Sequence, residues 1–425
     1  MSLLKKASII NMYTKNTKKS RHFNRRTETS RARLVDRKDI FLVLAIFILI
    51  AAPFFINLFF NMYTAANQIN LYISAHFEEL FGKEMTENLL QEYMEQNPDV
   101  RIRMENNTAE PDILLLKEGH SCDLAIPLIS FMDLLFYNID ILSAAGFDRP
   151  PGTRNEFLAY VRAVSNSDFG DNDNENEENG AGAVGAGAVG TALSLSRDDP
   201  RAIPRDIFSW IWAAAGNFWS GEETPSLNAA IVTNTITFFR TLYNEGLLAP
   251  DIFETTGEQR LEQFAQGKIA MMITSTQAIP YLRERMGDNA FGITTIPDPG
   301  TGGIYSIYLS SIYAGINPNT TYPEKALNFL EFLAGKSSLF NTELKAVPGA
   351  AFNIIPGDYV IDDPFYSKAW DIFEYAQIVE GFSGKSGAQK YEAAFLEELL
   401  IFFETNRTAQ QTVTAIQQRW DNIEQ

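Results

Sequence analysis

Three features of the sequence predict an α/β protein of two lobes preceded by one transmembrane helix. Short apolar runs of period two alternate with segments whose apolar residues recur every four positions, and strands alternating with helices build parallel sheets. The 425 residues are enough for two lobes with separate cores. One stretch, Ile40 to Phe60, runs for 21 residues without a charge, long enough to cross a bilayer as a helix.

The charge distribution orients that helix. Residues 1–39 hold 12 Lys/Arg against 3 acids, leaving 23 against 50 for the rest, so a net −27 follows the basic tail while the whole chain carries −18. Basic residues stay on the cytoplasmic side, which predicts a cytoplasmic tail and an exported bulk. A cleaved signal peptide ending near Thr64-Ala65-Ala66 is the rival, but the apolar run and the leading tail are both long for one. The acidic bulk excludes nucleic acid as a partner, because phosphate would be repelled. The single cysteine, Cys122, allows no internal disulfide and lies too far from the span to carry a lipid anchor.

After the span, Gln68–Ser74 alternates as a first strand. Phe77–Asn97 reads as one amphipathic helix, with Phe81, Met85, Leu89 and Tyr93 on a single face and Asn97-Pro98 as its stop. Val100, Ile102 and Met104 alternate as a second strand, and Pro111–Leu114 is a third. Phe131–Phe136, an apolar run broken only by Asp133, is a buried strand; Ile139–Ala145 is a short helix stopped by Gly146. Pro150-Pro151-Gly152 turns the chain, and Thr153 with Glu156 has capping-box spacing for the next helix. Residues 168–190 form an acidic and then Gly-Ala-rich insertion whose composition predicts disorder. Its acids do not make a calcium loop, since Asn176 and Gly182 stand where glycine and glutamate are needed. Helices are expected at Arg201–Trp219, Leu227–Asn244, Gln259–Gln266, Gln277–Arg285, Pro323–Ala334, Tyr366–Val379, Gln389–Phe403 and Thr408–Ile423. Strands are expected within 267–276, from Phe291, and over Ile307–Asn317.

Over Pro127–Val164 the order is strand, Tyr137-Asn138, short helix, Ala145-Gly146, Pro150-Pro151 and capped helix. This order resembles the segment in which family 1 extracellular solute-binding proteins, the sugar-binding proteins of ABC importers, enter their second lobe. Asn97-Pro98 before a strand, Pro111-Asp112-Ile113, and the Gly267–Met272 run GKIAMM are similar to further elements of that family, and the match is collinear to Ile423. The resemblance implies a two-lobe periplasmic-binding-protein fold with crossing hinge strands. It divides the chain into a first lobe at 68–126, a second at 127–290, a return at 291–340 and second-lobe helices at 341–425. It departs from the family between the third strand and Pro127, where about a dozen residues replace several helices, so the first lobe is shortened. Arg154, standing where the family has tryptophan, is expected on a helix surface.

No catalytic constellation, metal site or cofactor motif emerges. His120-Ser121-Cys122 lacks a visible partner set, and Glu397-Glu398 are helix neighbours pointing about 100° apart, expected on a solvated face. The resemblance implies capture of a small solute, a carbohydrate, by hinge closure, and its delivery to an ABC permease in the cytoplasmic membrane. It nominates Phe208, Trp212, Trp219, Gln277, Tyr308, Ser310, Gln389 and Tyr391 as ligand-binding residues, with core packing as the competing role for the rings. The shortened first lobe leaves an alternative: a membrane-tethered sensor or interaction ectodomain that no longer supports transport.

Overall fold

A computed structural model divides the chain into two units, Met1–Ala66 and Asn67–Gln425. It describes residues 48, 49, 51–53 and 55 of the first, and residues 68–105, 110–116, 124–167, 187–199, 205–214, 216–219, 224–300, 305–336, 362–379, 381, 382, 385 and 387–423 of the second. Those of the first unit are helical. The basic tail and most of the anchor expected at 40–60 lie outside the described residues, and no helix among those described is long and apolar enough to cross a membrane. His120-Ser121-Cys122 also lies outside them.

The second unit begins with β1 (Ile69–Ile73) and β2 (Val100–Met104), which bury Leu71, Ile73, Val100 and Ile102 at alternate positions. The single helix expected between them is two, α1 (His76–Phe81) and α2 (Lys83–Gln96). Gly82 separates them at φ 77°, a conformation open to glycine. A helical crossover brings β2 back parallel to β1, and β3 (Ile113–Leu116) lies parallel on the other side of β1.

The expected strand at Phe131–Phe136 is the middle of a 14-residue strand, β4 (Ala125–Asn138). It runs beside the 11-residue β8 (Ser306–Ile316), antiparallel, from Ala125 to Met132. At Asp133 it switches partners, pairing with β6 (Ile269–Ser275) and, from Leu135, also with β7 (Phe291–Thr294). The far end of β8 pairs with β3, while its start pairs with β9 (Gln377–Val379). With β5 (Val189–Thr191) parallel to β6, the strand order is β2-β1-β3-β8-β4-β6-β5. β4 and β8 thus link the two halves of the sheet. β6 is buried from Ile269 to Ile273 without alternation, as befits a strand covered on both faces.

The remaining helices are α3 (Ile139–Ala144), α4 (Arg154–Asn166), α5 (Arg205–Ala213), α6 (Ala229–Asn244), α7 (Gly257–Ala265), α8 (Ile279–Met286), α9 (Pro323–Ala334), α10 (Pro364–Tyr375), α11 (Ala388–Glu404) and α12 (Ala409–Asp421). Three cores result. One packs α1, α2 and α9 on the β1–β3 end, with Tyr93 edge-on to Phe329 at 5.0 Å. A second joins α4, α5, α6, α11 and α12 through Phe157, Trp210, Phe395 and Trp420. A third sets α7, α8 and α10 against β6 and β7, with Phe291 stacked on Phe365 at 4.5 Å.

Four expectations are corrected. Arg154 is buried, not on the surface: its guanidinium donates to the Trp210 carbonyl and Thr235 Oγ1 and lies over the Trp210 ring, while burial pulls its pKa down to about 10. The insertion expected to end at residue 190 gives way to β5 at Val189. Gly190 packs so tightly on the Val161 main chain that a Cβ would come within 2.6 Å, whereas 168–186 lie outside the described residues. The helix expected to reach Val379 stops at Tyr375, and Gln377–Val379 instead completes the edge of β8. Glu398 is 3% exposed and held by Arg407 and Arg419, so it is a buried ion-paired residue, unlike its exposed neighbour Glu397.

Candidate functional site

A cavity of about 480 Å³ lies beyond the carboxyl ends of the parallel strands β5 and β6, within the size range of small-molecule pockets. Its walls come from Ala192 and Ser194 after β5, Met272–Ser275 of β6, and the N-terminal ends of α5 and α7. Asp133 closes it from β4, at the point where that strand changes partners. The sequence builds this arrangement locally. Thr256 caps α7 with a full capping box to Gln259, and the Asp199 carboxylate accepts from the Gly257 N–H at 2.9 Å, fixing the loop before α5 against the start of α7.

Asp133 is the only charged residue of β4 and is 5% exposed. Its Oδ2 accepts from Arg205 Nε at 2.7 Å and from Ser209 Oγ at 3.1 Å, one turn apart on α5. Its Oδ1 has no hydrogen-bond partner among the described residues. Arg205 thereby ties the N-terminus of α5 to the strand that joins the two sheet halves, and each buried charge compensates the other. Asp206, the next residue, accepts a long 3.4 Å contact from the Ser194 N–H. Burial pushes its carboxyl up to about 7, the nearby charges of Asp133 and Asp199 push the same way, and the Ser194 N–H and Arg205 oppose them. Arg260 is 2% exposed and donates to Gln263 Oε1 at 2.9 Å and the Pro250 carbonyl at 2.5 Å; burial lowers its pKa. Around these charges Ser194, Thr256, Thr274 and Ser275 add hydroxyls.

Of the eight residues nominated from the sequence, the structure gathers five. Phe208, Trp212, Trp219, Tyr308 and Tyr391 are all buried in the core behind α5. Trp212 lies 4.3 Å from Tyr308 and 5.4 Å from Phe208, and Phe382 joins Phe208, Trp219 and Tyr391 at 5.4, 5.8 and 6.4 Å. Trp212 Nε1, Trp219 Nε1 and Tyr391 Oη have no hydrogen-bond partner among the described residues. The other three stand apart. Gln277 is exposed just past the cavity residue Ser275, Ser310 is half-buried opposite Phe131, and Gln389 is exposed on the first turn of α11. Sequence reasoning missed Asp133, Arg205, Asp206 and Arg260 as a set. The signal was a lone acid inside the apolar run of β4 and an Arg-Asp pair opening an otherwise apolar helix.

A sheet whose halves are linked by β4 and β8, with a cavity at the carboxyl ends of parallel strands, defines an α/β protein of the periplasmic-binding-protein class. Solved structures agree. The fold matches the cyclic alpha-maltosyl-1,6-maltose binding protein of Arthrobacter globiformis with a TM-score of 0.63 at 14% identity, over 83% of this chain and 98% of that one. It matches the sugar-binding protein MalE of Xanthomonas citri with a TM-score of 0.61 at 13% identity, over 83% and 96%. The family model described as bacterial extracellular solute-binding protein matches residues 123–342, which is 220 of the 425 residues, and the chain belongs to that family. A binding protein of Brucella abortus (strain 2308) is 22% identical over 212 residues, covering 48% of this chain and 46% of its own. The chain thus spans about half the length of the curated relatives it matches. Membership places the chain in a family of extracellular, non-enzymatic solute-binding proteins.

Proposed function

We propose that the chain captures a carbohydrate in the cavity beyond β5 and β6 and presents it to an ABC permease, held at the membrane by the apolar stretch at 40–60. The observation that carries this reading is the convergence of Asp133, Arg205, Asp206 and Arg260 with four hydroxyl side chains on one cavity of sugar size. The solved structures of similar fold include proteins named for binding maltose and related saccharides. Closure would bend β4 and β8, the strands that link the sheet halves, and would bring Ser310 and Gln277 toward the solute. The rings of Phe208, Trp212, Trp219, Tyr308 and Tyr391 hold α5, and with it Arg205 and Asp206, in place from behind.

Thermal-shift and calorimetric titration of the full-length protein with mono- and oligosaccharides tests the reading. A ligand at a hundred times its Kd stabilises by about 2.7 kcal/mol, a shift that melting curves resolve. One observation favours a second reading, a tethered sensor: only residues 117–124 separate β3 from β4, too few for the helices that would build a full opposing wall. Absence of any saccharide shift, together with a membrane protein that co-purifies stoichiometrically, would replace the first reading with the second.

A further inference from the structure

We infer that the solute carries a protonated amine beside its hydroxyls, and that the carboxylates of Asp133 and Asp206 receive it. The inference rests on the reading of this cavity as the solute site. Four acids, Asp133, Asp199, Asp206 and Glu258, face two arginines across it, so negative charge is in excess even with the Asp206 carboxyl, raised to about 7, partly protonated. Both arginines already donate to protein acceptors, Arg205 to Asp133 and Arg260 to Gln263 and Pro250. Arg260 Nε also has no hydrogen-bond partner among the described residues, but it is the carboxylates that outnumber the cations. Asp133 Oδ1 is buried with no donor among the described residues, and Asp206 has one long contact.

A buried acceptor without a donor is costly, and more so when it is charged. A solute that enters must therefore bring hydrogen-bond donors, and an anionic one would be repelled. A neutral hydroxyl can donate to Asp133 Oδ1, whose charge Arg205 already offsets, but leaves the excess of acids over arginines in the cavity unchanged. A primary ammonium brings three donors, no acceptor and one positive charge, which answers both deficits at once. Burial is the main cause of the upward pull on the Asp206 carboxyl, to about 7, and the charges of Asp133 and Asp199 add to it. The hydroxyls of Ser194, Thr256 and Ser275 are each bonded to the backbone and keep spare capacity, which, with Thr274, matches the hydroxyls of an amino sugar better than a plain aliphatic amine.

Calorimetry on the full-length protein at pH 7 separates the possibilities with four probes: the glucosamine dimer, the glucose dimer and the N-acetylglucosamine dimer of the same linkage, and putrescine. The glucosamine dimer is expected to bind at least about ten-fold more tightly than either other dimer, a difference of about 1.4 kcal/mol. Asp133→Asn and, separately, Asp206→Asn should each shrink that ratio several-fold. The ratio reads charge recognition and is insensitive to a uniform loss of folded protein; if one variant does not fold, the other carries the test. A neutral dimer binding as tightly as the glucosamine dimer overturns the inference and leaves the carbohydrate reading standing. Putrescine binding with all three dimers silent upholds the amine and overturns the sugar. Four silent probes overturn both.

Discussion

The two ends of α5 hold opposite kinds of environment. At its start, Arg205 and Asp206 line a polar cavity in which Asp133 Oδ1 lacks a donor among the described residues. A turn later, Phe208 and Trp212 enter a core where ring meets ring at 4.3–5.4 Å from several directions. A 9-residue helix thus separates a place that is chemically unfinished from one that is sterically full. The cavity opens at the first. The second makes the first rigid, since the aromatic packing sets where the charged N-terminus of the helix points.

Mutations at the two ends should therefore separate stability from binding. Phe208→Ala removes a fully buried ring touched by Trp212, Phe218, Phe382 and Phe395, and should cost about 3–5 kcal/mol of stability in denaturant melts. A stability loss below about 1 kcal/mol would show that the ring is not core. Asp133→Asn also breaks the pair with Arg205 and should cost stability, but unlike Phe208→Ala it should weaken binding of the tightest-binding saccharide. Its affinity is expected to fall by about 1.5–3 kcal/mol, the range for a hydrogen bond to a charged group. Calorimetry showing unchanged affinity would remove Asp133 from the site.

The pH dependence sharpens the same contrast. Asp206 has a folded-state pKa near 7 against an ordinary 3.8. Between those values the native protein holds a proton that the unfolded chain has lost, so this group makes stability fall as pH rises from about 4 to about 7, and nothing more is lost above that. Asp206→Asn should flatten that part of the profile of melting temperature against pH; an unaltered slope would mean the carboxyl is not desolvated. The smallest effect is expected at Tyr391→Phe. It deletes a buried hydroxyl that has no partner among the described residues, so stability should change by less than about 1 kcal/mol in either direction. A loss of about 2 kcal/mol or more would reveal a partner.

Elements with strong local signals were legible in the sequence. The helix caps at Thr153, the stop at Gly146 and the run through Ile269 appear where periodicity and capping place them, because each is decided within a few residues. The extent of β4 was not, since the pairing that carries it back to Ala125 is made with β8, over a hundred residues away. Arg154 misled for a similar reason: its partners, Trp210 and Thr235, reach it only through tertiary packing. The cavity was the hardest to read. Aromatic residues attract attention as sugar platforms, yet in this chain they pack on one another, and the polar set converges from five separate segments that no local pattern connects. Asp133 alone could have been singled out, as a charge that an otherwise buried strand had no reason to keep.

Hydrogen–deuterium exchange, with and without the tightest-binding saccharide, tests the location of the site most directly. The amides of Ser194, Gly257 and Gln277 border the cavity, whereas those of Trp219 and Lys390 belong to the aromatic side. Slower exchange at the first three, with the last two unchanged, is the predicted result. Protection confined to Trp219 and Lys390 would place the solute among the rings and contradict the account.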